Sequence, residues 1–170
     1  MIKLIALVDE NFGISKNEEI PWSFREDRIF FYQKTNFSTV VMGRKTFDSI
    51  GGKPLKNRIN CVLSRNVEHL GNSVEVFSSP AKLVGVHKDF WVIGGAEIFN
   101  YFLRNKLVDY ALITKIHRDC CADKFVDASL LEQMEVSTLK RADLYTIYQY
   151  TQKSASTKYS ASSPIAACGL

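Results

Sequence analysis

Asp27 is the residue whose setting asks for a chemical explanation. It lies three residues after Phe24, three before Phe30 and four before Phe31. At about 3.6 residues per turn these four side chains share one face of a helix. An acid on an aromatic stripe either stays in water at the stripe's edge or goes inside. An isolated buried carboxylate costs several kcal/mol unless something pairs with it, so an inside position calls for a partner, and a ligand is one candidate. Three other short stretches offer complementary chemistry. In Ile93-Gly94-Gly95-Ala96 two glycines precede a helix, whose first N–H groups and positive dipole end suit a pyrophosphate. In Gly43-Arg44-Lys45-Thr46 two cations stand in a helix's first turn, where they oppose the dipole and where a bound anion would account for them. Leu63-Ser64-Arg65 adds a hydroxyl and a guanidinium.

The elements that must position these groups can be read from the spacing of apolar residues. Ser23 and Glu26 form the pattern of a capping box, which predicts a helix from Phe24 to about Thr35. Ile2 to Val8 is a continuous apolar run, the mark of a strand covered on both faces. Further strands are expected over Thr39–Met42, Asn60–Leu63, Val74–Phe77, Phe90–Ile93 and Tyr110–Ile116. Helices are expected from Gly43 to about Gly51, after Pro80, and over Ala96–Leu103. Asp9 to Ile20 reads as a long polar loop. Alternating strands and helices imply an α/β fold, a mostly parallel central sheet flanked by helices. Beyond Phe125 the pattern changes to two apolar stretches around 134–139 and 144–150, read as a C-terminal antiparallel hairpin. Residues 1–150 then form a single domain. The Ser- and Ala-rich remainder, 151–170, has little to bury and reads as a disordered tail.

Composition narrows the partners. The chain has 170 residues, 46% hydrophobic and 24% charged, with a net charge of +4 spread along its length, so a nucleic-acid partner is not expected. The opening apolar run is too short to span a membrane. Cys61, Cys120, Cys121 and Cys168 show no C-x-x-C spacing, and His69, His87 and His117 are far apart in sequence. Reduced thiols, a cytoplasmic location, a monomer and no metal site are expected.

In open α/β sheets ligands sit at the carboxyl ends of the strands, where all three stretches fall. Together they suggest a site in two parts. One holds a phosphorylated dinucleotide through glycines and cations. The other is an apolar slot in which Asp27 would grip a flat heterocycle presenting an amino group beside a ring N–H. Hydride transfer fits, since a cofactor carries the difficult chemistry and the protein supplies placement.

From Ile2 to about Tyr150 the sequence resembles the dihydrofolate reductases. The stretches that carry the likeness are G-I-S-K-N-E-E-I-P-W, V-M-G-R-K-T-F-D-S-I-G, P-L-K-N-R-I-N-C-V-L-S-R and W-V-I-G-G-A-E-I-F, in that order. The resemblance implies reduction of 7,8-dihydrofolate to tetrahydrofolate with NADPH. It implies that Asp27, assisted by Thr114, holds the pterin and promotes protonation at N5, with Trp22 ordering water beside it. Ile5, Ala6, Phe31 and Ile93 match the pterin slot, Ile50 and Leu55 the walls of the p-aminobenzoyl site, and Arg58 the guanidinium that grips the glutamate α-carboxylate. Ala6, Ile14, Thr46, Ser49, Gly94, Gly95, Ala96, Glu97 and Ile98 match cofactor contacts, with Gly43, Leu63, Ile93 and Phe99 beside them. Arg44, Lys45, Ser64 and Arg65 match those around the adenosine and its 2′-phosphate. The loop from Gly13 to Ile20 matches a mobile lid over the nicotinamide.

Five positions depart from the family's usual pattern. Arg28 replaces an apolar residue against the p-aminobenzoyl ring, where its stem is expected to pack. Leu7 replaces an alanine, Ser15 a lid glycine, Phe99 a tyrosine, and Val126 a proline. Two further readings stay open: a folate- or NADPH-binding protein of low activity, and a pyrimidinone reductase of riboflavin synthesis.

Overall fold

The computed structural model describes residues 1–17, 24–66, 70 and 73–153. Fifteen elements follow one another: β1 (Ile2–Val8), β2 (Gly13–Ser15), α1 (Arg25–Thr35), β3 (Thr39–Gly43), α2 (Arg44–Ser49), β4 (Ile59–Leu63), β5 (Glu75–Phe77), α3 (Pro80–Val86), β6 (Phe90–Gly94), α4 (Ala96–Arg104), β7 (Tyr110–Ile116), β8 (Lys124–Phe125), α5 (Ala128–Leu131), β9 (Glu135–Arg141) and β10 (Tyr145–Thr151). Eight strands form one sheet in the order β5-β4-β3-β6-β1-β7-β10-β9. From β5 to β7 every pairing is parallel, and β10 and β9 close the far edge antiparallel. The α/β fold expected from the sequence is the one observed. The chain lays β3, β4 and β5 outward, then returns to insert β6 between β3 and β1. The carboxyl ends of β1, β3, β4 and β6 are thereby gathered on one edge, where an α/β sheet opens to a ligand.

Side-chain alternation along the strands divides the core in two. Leu4, Ala6 and Val8 of β1, with Cys61, Val92 and Ile113, face Leu83 of α3, Phe99, Phe102 and Leu103 of α4, and Leu131 of α5. On the other face Ile5, Met42, Val62 and Trp91 meet Phe47 of α2 and the half-buried Phe30 and Phe31 of α1. Phe102 anchors α4 edge-on against Phe90 of β6, their ring centroids 5.8 Å apart. Truncating such a buried ring costs about 3–5 kcal/mol, and here it would also loosen the helix that follows Gly95.

Several expectations change. The stretch after Asp9 is not one long loop, because Gly13–Ser15 pairs antiparallel with Lys124–Phe125. Asp9 makes this possible. Its carboxylate is fully buried and accepts from the backbone N–H groups of Asn11, Gly13 and Cys120 at 2.9, 2.7 and 3.2 Å. A side chain on Gly13 would not fit, since a Cβ there would stand 2.2 Å from that of Ala122. Ser23 of the expected capping box lies outside the described residues; α1 begins after Phe24, with no side chain capping it. At the other end β10 runs to Thr151, and Gln152 still donates to the Val108 carbonyl. Residues 154–170, most of the expected tail, lie outside the described residues.

Candidate active site

Along the carboxyl edge of the parallel strands runs a cavity of about 1260 Å³. Pockets for one small ligand occupy about 300–1,000 Å³, so two ligands have room here. Asp27 is on its wall. Phe24, Asp27, Phe30 and Phe31 are all half-buried: Phe24 and Phe30 pack against the core, while Asp27 and Phe31 look into the opening. Burial raises the Asp27 pKa above the ordinary carboxylate value, and the neighbouring Thr114 hydroxyl opposes the shift in part. Thr114, on β7, is itself fully buried, and its Oγ1 has no hydrogen-bond partner of normal length among the described residues.

Ile5, Ala6, Phe31 and Ile93 line the same cavity, as do Arg28, Ile50, Leu55 and Arg58. Arg58 is held from several sides. Its Nε donates to Thr35 Oγ1 at 2.9 Å, its Nη1 donates to the Lys56 carbonyl at 2.8 Å, and its plane lies 5.6 and 5.2 Å from the rings of Phe31 and Tyr32. The Thr35 hydroxyl in turn donates to the Phe31 carbonyl. Buried Asn60 fixes the loop that carries Leu55 and Arg58, because its side chain accepts from Leu55 N–H and donates to the carbonyls of Leu55 and Arg58.

The dinucleotide half is assembled from strand ends. Ile14, Thr46 and Ser49 line it, with Gly94, Gly95, Ala96, Glu97, Ile98 and Phe99 following β6. Gly94 and Gly95 are joined by a cis peptide. A Cβ on Gly95 would stand 3.2 Å from Thr46 Oγ1, so glycine keeps this passage open. At the far end Gly43, Arg44, Lys45, Leu63, Ser64 and Arg65 come together. Two of these differ from expectation. Arg44 has a structural partner after all, its Nε donating to both oxygens of Asp48 one turn on at 2.9 and 3.0 Å. The Ser64 hydroxyl donates to the Asn66 carbonyl, so the cations carry more of any anion site than expected.

Thr114 stands behind Asp27 and not on the cavity wall, and Trp22 lies outside the described residues. Tyr32, Ser78, Ser79, Pro80 and Lys124 line the cavity without having been singled out. Ser78 to Pro80 could have been found, since they follow a strand and open α3. Lys124 could not, because it depends on the β2–β8 pairing. Among the departures, Leu7 and Ser15 line the cavity, Phe99 is buried beside Gly94, and the Val126 N–H donates to the Phe12 carbonyl at 2.9 Å, a bond proline cannot make.

Comparison with known proteins gives this arrangement its family. A sequence profile described as dihydrofolate reductase matches residues 1–154. Dihydrofolate reductase of Ureaplasma parvum is 35% identical over 127 residues, covering 71% of this chain and 79% of its own length. Segregation and condensation protein A of Mycoplasma pneumoniae is 37% identical over 123 residues; the match takes in 70% of this chain but only 24% of that protein. Dihydrofolate reductase from Enterococcus faecalis, solved in complex with NADP(H) and RAB-propyl, superposes with a TM-score of 0.77 at 27% identity, over 91% of this chain and 97% of that one. The chain belongs to the dihydrofolate reductase family.

Proposed function

We infer that this chain reduces 7,8-dihydrofolate to 5,6,7,8-tetrahydrofolate with NADPH, by hydride transfer to C6 and protonation at N5. One observation carries the assignment: a carboxyl whose pKa is raised by burial stands on the apolar wall of the cavity that also holds the Gly94-Gly95 bend and the cations at its far end. The residues present fit NADPH. The cavity is roomy enough for two ligands, glycine keeps the passage beside Thr46 open, and Arg44, Lys45 and Arg65 suit a phosphate monoester. When bound, NADPH supplies the hydride.

The protein's part is placement and proton control. Asp27 takes the pterin's 2-amino group and N3–H in two parallel hydrogen bonds, and Thr114 steadies its carboxylate. Ile5, Ala6, Phe31 and Ile93 hold the ring flat and keep bulk water from it. A raised pKa keeps the Asp27 proton available closer to neutral pH than an ordinary carboxyl would, which suits a group that promotes protonation at N5. Leu55 and Ile50 flank the p-aminobenzoyl ring while Arg58 meets the glutamate carboxylate. Arg28 and Leu7, two of the departures from the family's pattern, stand at the wall of a cavity that stays open.

Loss of nicotinamide absorbance on adding dihydrofolate tests the activity. Asp27→Asn should keep the native circular dichroism and lose turnover near neutral pH by about 10²-fold or more. Near-normal turnover in that variant would remove Asp27 from the mechanism.

A further inference from the structure

Outside the cavity's lining, three side chains that the reaction does not use converge at the β5 edge of the sheet. Cys61 of β4 and Glu75 of β5 are register partners on adjacent parallel strands, so their side chains leave the sheet on the same face. His87 follows the last turn of α3, which lies over that face and packs Leu83 into the same core as Cys61. One ligand atom from each residue lies within 4.8 Å of the other two. His87 Nε2 and Glu75 Oε2 share a hydrogen bond of 2.7 Å, and the imidazole stands edge-on to Phe77 at 5.8 Å, which fixes its orientation.

We propose that Cys61, Glu75 and His87 form a Zn²⁺ site that clips edge strand β5 and the end of α3 to β4. The donor set selects the ion, since thiolate, imidazole and carboxylate together suit zinc and do not suit the oxygen-seeking magnesium or calcium. Charge also balances: one thiolate and one carboxylate neutralise a divalent cation, so the site can lie against a buried cysteine without leaving net charge there. Binding draws the three ligand atoms to tetrahedral spacing, with the Cys61 Sγ, now within 4.8 Å of the other two, coming to about 3.5 Å from each. With Zn–N and Zn–O bonds of about 2.0–2.2 Å, tetrahedral geometry puts those two atoms about 3.3 Å apart, so the His87–Glu75 pair opens by roughly half an ångström. The exposed side, where Glu75 lies, leaves the fourth position to water. Sequence spacing gave no hint of the site because each ligand comes from a different element.

Cobalt titration of the metal-stripped full chain tests the site, because a Co²⁺–thiolate bond gives a near-ultraviolet charge-transfer band and tetrahedral Co²⁺ gives intense visible bands. Both are expected to saturate at one ion per chain, to vanish on adding Zn²⁺, and to persist when Cys120, Cys121 and Cys168 are all serine. Cys61→Ala should abolish the thiolate band. His87→Gln and Glu75→Gln, changes on the more exposed side of the cluster, keep the test sound if Cys61→Ala does not fold. Each should weaken Co²⁺ binding by at least about 10²-fold, the most that losing an outer partner of a metal site costs. Zn²⁺ should raise the melting temperature of the parent chain and not of His87→Gln. No thiolate band in the parent chain, a band that follows Cys120 and Cys121, or undiminished binding by His87→Gln would overturn the proposal.

Discussion

At the scale of single residues, the role proposed for Asp27 sets catalysis against stability. Its pKa is raised by burial, so the folded chain holds its proton more tightly than the unfolded chain does. The stability linked to such a group is complete below the unfolded pKa and is lost as pH rises through the folded one. At neutral pH Asp27 therefore weakens the fold. Asp27→Asn should be more stable than the parent at pH 7, and the difference should close as pH falls through the raised pKa to below the ordinary carboxylate value. Denaturant titrations across that range check this; equal stabilities at every pH would mean that the carboxylate is better solvated than its surroundings indicate. Thr114 acts in the opposite sense, because its hydroxyl favours the ionised form. Thr114→Val should raise the Asp27 pKa further and move the corresponding limb of the pH–rate profile to higher pH. A profile that stays in place would leave Thr114 a packing role only.

At the scale of elements, the loop between α2 and β4 shows how a buried polar residue serves a site that it does not touch. Asn60 satisfies both backbone groups of Leu55 and the carbonyl of Arg58. Asn60→Ala leaves these unmet, at about 1–3 kcal/mol of stability. It also frees Leu55 and Arg58, the two residues proposed to hold the substrate's tail, while leaving Asp27 in place. KM for dihydrofolate should rise with kcat nearly unchanged, and a pterin substrate without the glutamate tail should be less affected; a fall in kcat alone would contradict this. Nothing in the spacing of Asn60 marked it, nor did anything mark Thr35 beneath Arg58, because the value of each depends on partners brought in by folding. Strands were legible where burial on both faces imposes a continuous apolar run. Ile2–Val8 and Tyr110–Ile116 were read to the residue. Gly13–Ser15 was not, because three residues held by Asp9 and by a segment more than a hundred positions away carry no local pattern. The cation pair at α2, expected at an anion site, does line the cavity, although Asp48, at the i+4 spacing that stabilises helices, should have warned that Arg44 had other business.

At the scale of the whole molecule, the cavity is bipolar although the net charge of +4 is modest and dispersed. One end offers Asp27 among aromatic and aliphatic side chains; the other offers Arg44, Lys45 and Arg65 beside Ser78 and Ser79. An extended ligand pair fits one way round only, with phosphates at the cations and a nitrogen-rich ring at the carboxylate. On the proposed function, this separation would place cofactor choice at the far end, away from the chemistry. A 2′-phosphate is what distinguishes NADPH from NADH, and hydrogen bonds to charged groups contribute about 1.5–3 kcal/mol each. Lys45→Ala combined with Arg65→Ala should therefore lower kcat/KM for NADPH by about 10²-fold or more and leave that for NADH nearly unchanged. Because Arg65 and Lys45 are exposed, the parent's preference for NADPH should also shrink as ionic strength rises, and the double variant's should respond less. Equal losses with both cofactors would show that the two cations hold the pyrophosphate or the fold, and the 2′-phosphate would then have to be sought nearer Ser78 and Ser79.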